Sequence, residues 1–156
     1  MLGAESGGGG LMNREILFKG KHKFSDEWVV GSLLVHPYRK VCHSIFVPEK
    51  EEQKTDGIYT VYIEYPVFPD SVGQFPGLVD KNGDKVFEGD ILKYTFEDEG
   101  ETSECFAEVI FYRNGWAIRE NGYEPDELFA QAMEIFEIAG NVFDSPELLK
   151  KAEEKH

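Results

Sequence analysis

The stretch Val72–Tyr94, VGQFPGLVDKNGDKVFEGDILKY, constrains the fold of this 156-residue chain more than any other. Asn82-Gly83 stands between the apolar pairs Leu78-Val79 and Val86-Phe87. That arrangement predicts a hairpin with a two-residue type I′ loop, because Asn and Gly take positive φ at both central positions cheaply. Gly89 precedes a second apolar run, Ile91–Phe96, and predicts a bulge or sharp bend, as at the corner of a small barrel. Past the bend, Leu92, Tyr94 and Phe96 alternate to one face, and Ile91, Lys93 and Thr95 to the other. Glu88 and Asp90 flank Gly89. Such a carboxylate pair suits metal or acid–base work, but turns collect acidic side chains that bond turn amides, and the structural reading is preferred.

The rest of the chain reads as strands with punctuation. Arg14–Phe18 begins the first strand, Trp28–His36 is an apolar run closed by Pro37, and Cys42–Val47 forms a short strand. Glu49–Lys54 is a charge run read as an exposed loop. Ile58–Tyr65 is a strand by its β-branched and aromatic content, with Pro66 and Pro69 breaking the chain after it. Glu97–Glu104, EDEGETSE, reads as an acidic, mobile connection, and it lacks the ligand spacing of a calcium loop. Phe106–Phe111 and Trp116–Arg119 flank Asn114-Gly115 as a second hairpin. Asp126–Met133 is a helical turn or a short strand, and Ile135–Val142 is a strand with Phe136, Ile138 and Val142 on one face. Ser145-Pro146 starts a short helix, with Ser as N-cap and Pro at the first helical position.

The chain is long enough to bury a core without metal or disulfide staples. Its net charge of −14 argues against a general nucleic-acid binder, whose affinity comes from Lys and Arg on phosphates. A local basic cluster nevertheless exists at Arg14, Lys19, Lys21, His22 and Lys23. The charge also suits an acidic decoy that occupies a basic protein's cleft, although solubility alone is the simpler reason for it. No apolar run is long enough to span a membrane and no secretory signal is visible, so a cytoplasmic setting is expected, with Cys42 and Cys105 free thiols. Residues 1–11, MLGAESGGGGL, read as a flexible leader, an upstream extension or expression remnant, with translation starting at Met12.

Chemical motifs are lacking. His36, Cys42 and His43 are the one local group of metal ligands, and their spacing matches no structural zinc site. Pro69-Asp70 has no carboxylate-x-Lys partner within hairpin reach, and neither a phosphate-cradling loop nor a Gly-x-Ser-x-Gly elbow occurs. No catalytic residue, cofactor or metal is assigned, and an enzyme is not expected. Tyr59, Tyr62, Tyr65, Phe68 and Phe75 could stack bases on a β-platform, but core packing accounts for them more simply.

Several of these motifs together resemble the YopX family of phage and prophage proteins. They are Arg14-Glu15-Ile16, Val72-Gly73-Gln74-Phe75, Gly77-Leu78 with Asp80-Lys81-Asn82-Gly83, Phe87-Glu88-Gly89-Asp90-Ile91, Phe136-Glu137-Ile138 with Gly140-Asn141-Val142, and Ser145–Leu149. Motif order matches from about Met12 to Leu149. Pro76 stands where the family more often has Thr or Ser, and His36–Tyr65 is too variable to align. The resemblance implies a mainly β protein encoded by phage or an integrated element, and it brings no catalytic residues.

The expected fold is mainly β: a bent antiparallel sheet or small SH3/OB-like barrel built from Asn-Gly hairpins, with a short C-terminal helix. A single β-rich YopX-like domain is expected over 12–150, followed by a charged tail over 151–156. The expected function is that of a phage or prophage accessory protein, a non-catalytic binder of a host or phage protein, with the acidic decoy as one form of it. The alternative is a small β-barrel module for single-stranded nucleic acid. Protein is favoured over nucleic acid as partner, no membrane is involved, and a homo-oligomer is left open.

Overall fold

The computed structural model describes residues 14–38, 42–128 and 133–154. The leader, the Met12 start and part of Asp126–Met133 lie outside them. Ten strands form two antiparallel sheets of five. The first is ordered β4(Gly57–Val67), β3(His43–Lys54), β2(Trp28–Val35), β1(Phe18–Lys21), β5(Gly73–Gln74). The second is ordered β10(Glu137–Asn141), β6(Asp90–Asp98), β7(Glu101–Tyr112), β8(Gly115–Glu120), β9(Asp126–Glu127). Helix α1 spans Glu147–Glu154. The mainly β class and the C-terminal helix agree with expectation. A bridge between His22 and Val67 curls the first sheet, yet neither sheet closes, so the barrel alternative gives way to bent sheets.

Each sheet draws on a contiguous stretch of chain. Strand β2 pairs with β1 through Trp28–Gly31 and with β3 through Ser32–Val35. Gly31 permits that handover, since a Cβ there would lie 2.2 Å from the Phe46 carbonyl oxygen. The core of the second sheet gathers Val86, Leu92, Val109, Leu128, Met133 and Phe136. Here Leu92 and Val109 come from one face of β6 and β7, and the other four come from segments laid over that face.

Four sequence expectations are corrected. Arg14–Leu17 is not strand; β1 begins at Phe18, where pairing to Gly31 starts. Glu49–Lys54 is not a loop but the outer half of β3, paired to β4 as far as Lys54–Gly57, with a register shift between Pro48 and Lys50. Pro66 does not end β4; its carbonyl accepts from Lys23 N–H, so the missing amide proton also points away from the β3 ladder. Glu97–Glu104 is not a connection but the tip of the β6–β7 hairpin, turned by Glu99 (φ 51°) and Gly100 (φ 83°). Positive φ at both loop positions is the type I′ signature.

Neither Asn-Gly pair forms the expected loop. In the second hairpin Tyr112 pairs with Gly115, so the two loop residues are Arg113 (φ 58°) and Asn114. In the first, Gly83 N–H donates to the Asp80 carbonyl, and Gly83 alone has positive φ (86°). That is a three-residue loop around a type I turn, closed by a single Val79–Lys85 bridge in place of a paired ladder.

Candidate functional site: the groove between the sheets

The segment Phe75–Gly89 joins the two sheets, and its last two residues, Glu88 and Gly89, line the groove between them. Gly73 is buried with the Glu88 carbonyl oxygen 2.1 Å from where a Cβ would stand, so only glycine fits this crossing. Backbone bonds from Glu88 N–H to Gln74 O (2.9 Å) and from Phe75 N–H to Leu17 O (2.9 Å) fasten the joint to the first sheet. Gly89 N–H donates to Val109 O and its carbonyl accepts from Val142 N–H, fastening it to the second. Gly89 (φ 91°) occupies the third position of the turn closed by Asp90 N–H on Phe87 O, where positive φ favours glycine.

Asp90 is a buried acid that follows the joint and pairs with Lys19, a residue of the groove's lining. Its Oδ2 accepts from Phe87 N–H at 2.7 Å, and its Oδ1 accepts from Lys19 Nζ. Lys19 and Asp90 side chains are 12% and 4% exposed. Burial pushes the Asp90 carboxyl above its ordinary value, while Lys19 and the Phe87 amide oppose that shift. Lys19 Nζ also lies 4.5 Å from the Trp28 ring centroid. Lys19 Nζ is thereby held between the Asp90 carboxylate and the face of Trp28.

The groove above holds about 380 Å³ and is walled by Trp28, Asp70, Glu88, Glu108, Arg119 and Phe143. Arg119 is 3.3 Å from Glu108. On the rim, Asp144 accepts from Trp28 Nε1 (2.7 Å) and Lys21 Nζ (2.8 Å). Those two bonds hold its carboxyl below the ordinary value. The groove therefore offers shape, aromatic surface and, in Lys19–Asp90 and Arg119–Glu108, paired charges.

Of the residues weighed from the sequence, Glu88 and Asp90 have separate structural tasks, for Glu88 Oε1 accepts from Gln74 N–H at 3.3 Å. Lys19 and Lys21 of the basic cluster are tied to Asp90 and Asp144. His36 approaches Glu64 at 4.0 Å, and both cysteines are free. Among the described residues no three His, Cys, Asp or Glu side chains are placed to share a metal. The five aromatics disperse: Phe75 is buried against Phe87, Phe68 stacks on Phe143, Tyr65 meets His22 edge-on, and Tyr59 and Tyr62 lie on opposite faces of β4.

Asp80 escaped the sequence reading. It is buried and accepts from the amides of Asn82, Asp84 and Ile138. Burial opposes its ionisation, but the three amides outweigh it and hold the carboxyl below its ordinary value. An Asp two residues ahead of Asn-Gly was the available signal.

Beyond the body, the β3–β4 ribbon projects with Ile58 (68% exposed), Tyr59, Tyr62 (52%) and Ile63 on its surface. As β4 is the last strand of its sheet, its outer edge over Ile58–Ile63 has no strand neighbour among the described residues; only its base is met, where Val67 bridges His22.

The family model for YopX protein matches residues 17–150. The chain belongs to the YopX family. A solved structure similar to this YopX chain is that of protein EF1440 from Enterococcus faecalis, 19% identical, covering 87% of this chain and 99% of that one with a TM-score of 0.61. At that identity the likeness is one of fold. No curated protein matches the chain.

Proposed function

We propose that this YopX chain is a non-catalytic accessory protein of a phage or integrated element, working in the bacterial cytoplasm by binding a host or phage protein. The observation that carries the reading is the projecting β3–β4 ribbon, whose exposed Ile58, Tyr59, Tyr62 and Ile63 stand beside an unpaired strand edge. Exposed apolar side chains grouped on one element, with free backbone groups alongside, suit contact with another polypeptide. The pairing of the groove's charges supports a binding role over a catalytic one. Single-stranded nucleic acid draws less support, because Lys19 and Lys21 are neutralised within the molecule and the aromatics form no platform. Affinity capture of the full chain from an induced host, followed by mass spectrometry, tests the proposal. A defined protein partner is expected, and recovery of nucleic acid with no protein would overturn it.

A further inference from the structure

Charge on the second sheet is sorted by face. Residues paired across antiparallel strands share a side, so Asp98, Glu101, Glu120 and Asp126 lie on the same side as Phe96, Ser103 and Cys105. No Lys or Arg of β6 to β9 lies there. Lys93 and Arg119 are on the opposite side and are paired, Lys93 with Glu104 and Glu137, Arg119 with Glu108. Among the described residues none of the four carboxylates on the first side is in an ion pair; Glu120 takes the Tyr94 hydroxyl instead.

The core around Leu92 and Val109 covers the middle of this side, which stays open toward the β6–β7 tip and along the hollow beside Glu120 and Asp126. There Phe96 is 54% exposed. Two hollows meet across the Tyr94–Cys105 pair: one of about 350 Å³ lined by Phe96, Asp98, Glu101 and Cys105, and one of about 260 Å³ lined by Tyr94, Glu120, Asp126 and Ile135. The acidic hairpin tip is a continuous, paired β-ladder and so presents its carboxylates in fixed register.

We infer that this open face docks a cationic, Arg- or Lys-rich segment of a partner protein. The inference rests on the protein-binding reading and adds the chemistry of the partner. Guanidinium or ammonium groups meet the unpaired carboxylates, while their aliphatic stems lie over Phe96 and Ile135. A second copy of the chain would bring the same carboxylates to the face and be repelled, as would nucleic acid phosphates.

The test uses the full chain and a labelled oligo-arginine peptide. The triple exchange Asp98→Asn, Glu101→Gln, Asp126→Asn is set against Glu97→Gln, Glu104→Gln, Glu137→Gln, which alters net charge equally on the opposite face. The open-face triple is expected to weaken peptide binding about tenfold and the other by less than about twofold. Phe96→Ala is expected to weaken it about threefold. Should the first triple fold poorly, Glu101→Lys at the exposed tip serves in its place. Equal loss from both triples means that net charge alone attracts the peptide and overturns the inference. Capture from the induced host separates the two levels. A partner that the open-face variant still holds overturns this face and leaves protein binding standing, whereas the absence of any partner for the unaltered chain overturns protein binding itself.

Discussion

The Asp80 carboxylate accepts a hydrogen bond from the Ile138 amide at 3.1 Å, across 58 residues of sequence. With Lys81 N–H on the Phe136 carbonyl at 2.9 Å, it stitches the turn of the joining segment to β10. Removing the acceptor strands three amides, two in the turn and one at the sheet edge. Asp80→Ala is expected to cost about 3 kcal/mol in urea unfolding, since each lost charge-assisted bond is worth about 1.5–3 kcal/mol and the three are not additive. A loss under about 1 kcal/mol would mean that water takes over these amides.

The Lys19–Asp90 pair calls for a double-mutant cycle. Lys19→Met or Asp90→Asn alone leaves its partner buried and uncompensated, at about 3 kcal/mol each. The double exchange removes both charges and is expected to recover a large part of that cost. Strictly additive losses would show that the two groups are not coupled.

Close approach at the joint predicts a sharp contrast between glycines. Gly73→Ala drives a methyl group against the Glu88 carbonyl and is expected to destabilise by about 2–3 kcal/mol. Gly115→Ala meets nothing within 4 Å and is expected to be near neutral. Thermal melts of the two variants measure the difference.

Stability against pH carries opposing signs. Asp80 and Asp144 have folded values below the ordinary 3.8, so their contribution is complete above 3.8 and lost as pH falls through the folded values. Asp90 lies above 3.8, so the folded chain takes up that proton first, and its contribution grows as pH falls from its folded value toward 3.8. Urea titrations at successive pH are expected to show a less steep acid limb for Asp80→Asn and Asp144→Asn. For Asp90→Asn they should show loss of the gain on the approach to 3.8.

Where apolar side chains alternate or β-branched and aromatic residues run together, the sequence was readable. There β2, the β7–β8 pairing and β10 appear where they were expected, and so does β4, although most of it is exposed. Reading failed where strands run past the core. Glu49–Lys54 and Glu97–Glu104 are solvated on both faces, so no alternation marks them, and their charge density imitates a loop. Turn register failed for a different reason. The Asp80 side chain captures the amides of Asn82 and Asp84 and moves the turn one residue early, and Arg113 takes the left-handed position ahead of Asn114. The Gly89 bend was legible, whereas Lys19 and Asp90, 71 residues apart, could not be matched from spacing.

That separation bears on how the protein is made. Every strand pairing of the first sheet lies within residues 18–74, so a nascent chain can complete that sheet while Asp90 is still inside the ribosome. Until Asp90 emerges, the Lys19 ammonium has no counter-ion and its site stays open to water. The burial of Lys19 is thus completed only by a residue made after its own sheet, and the pair ties the two halves together once both are present.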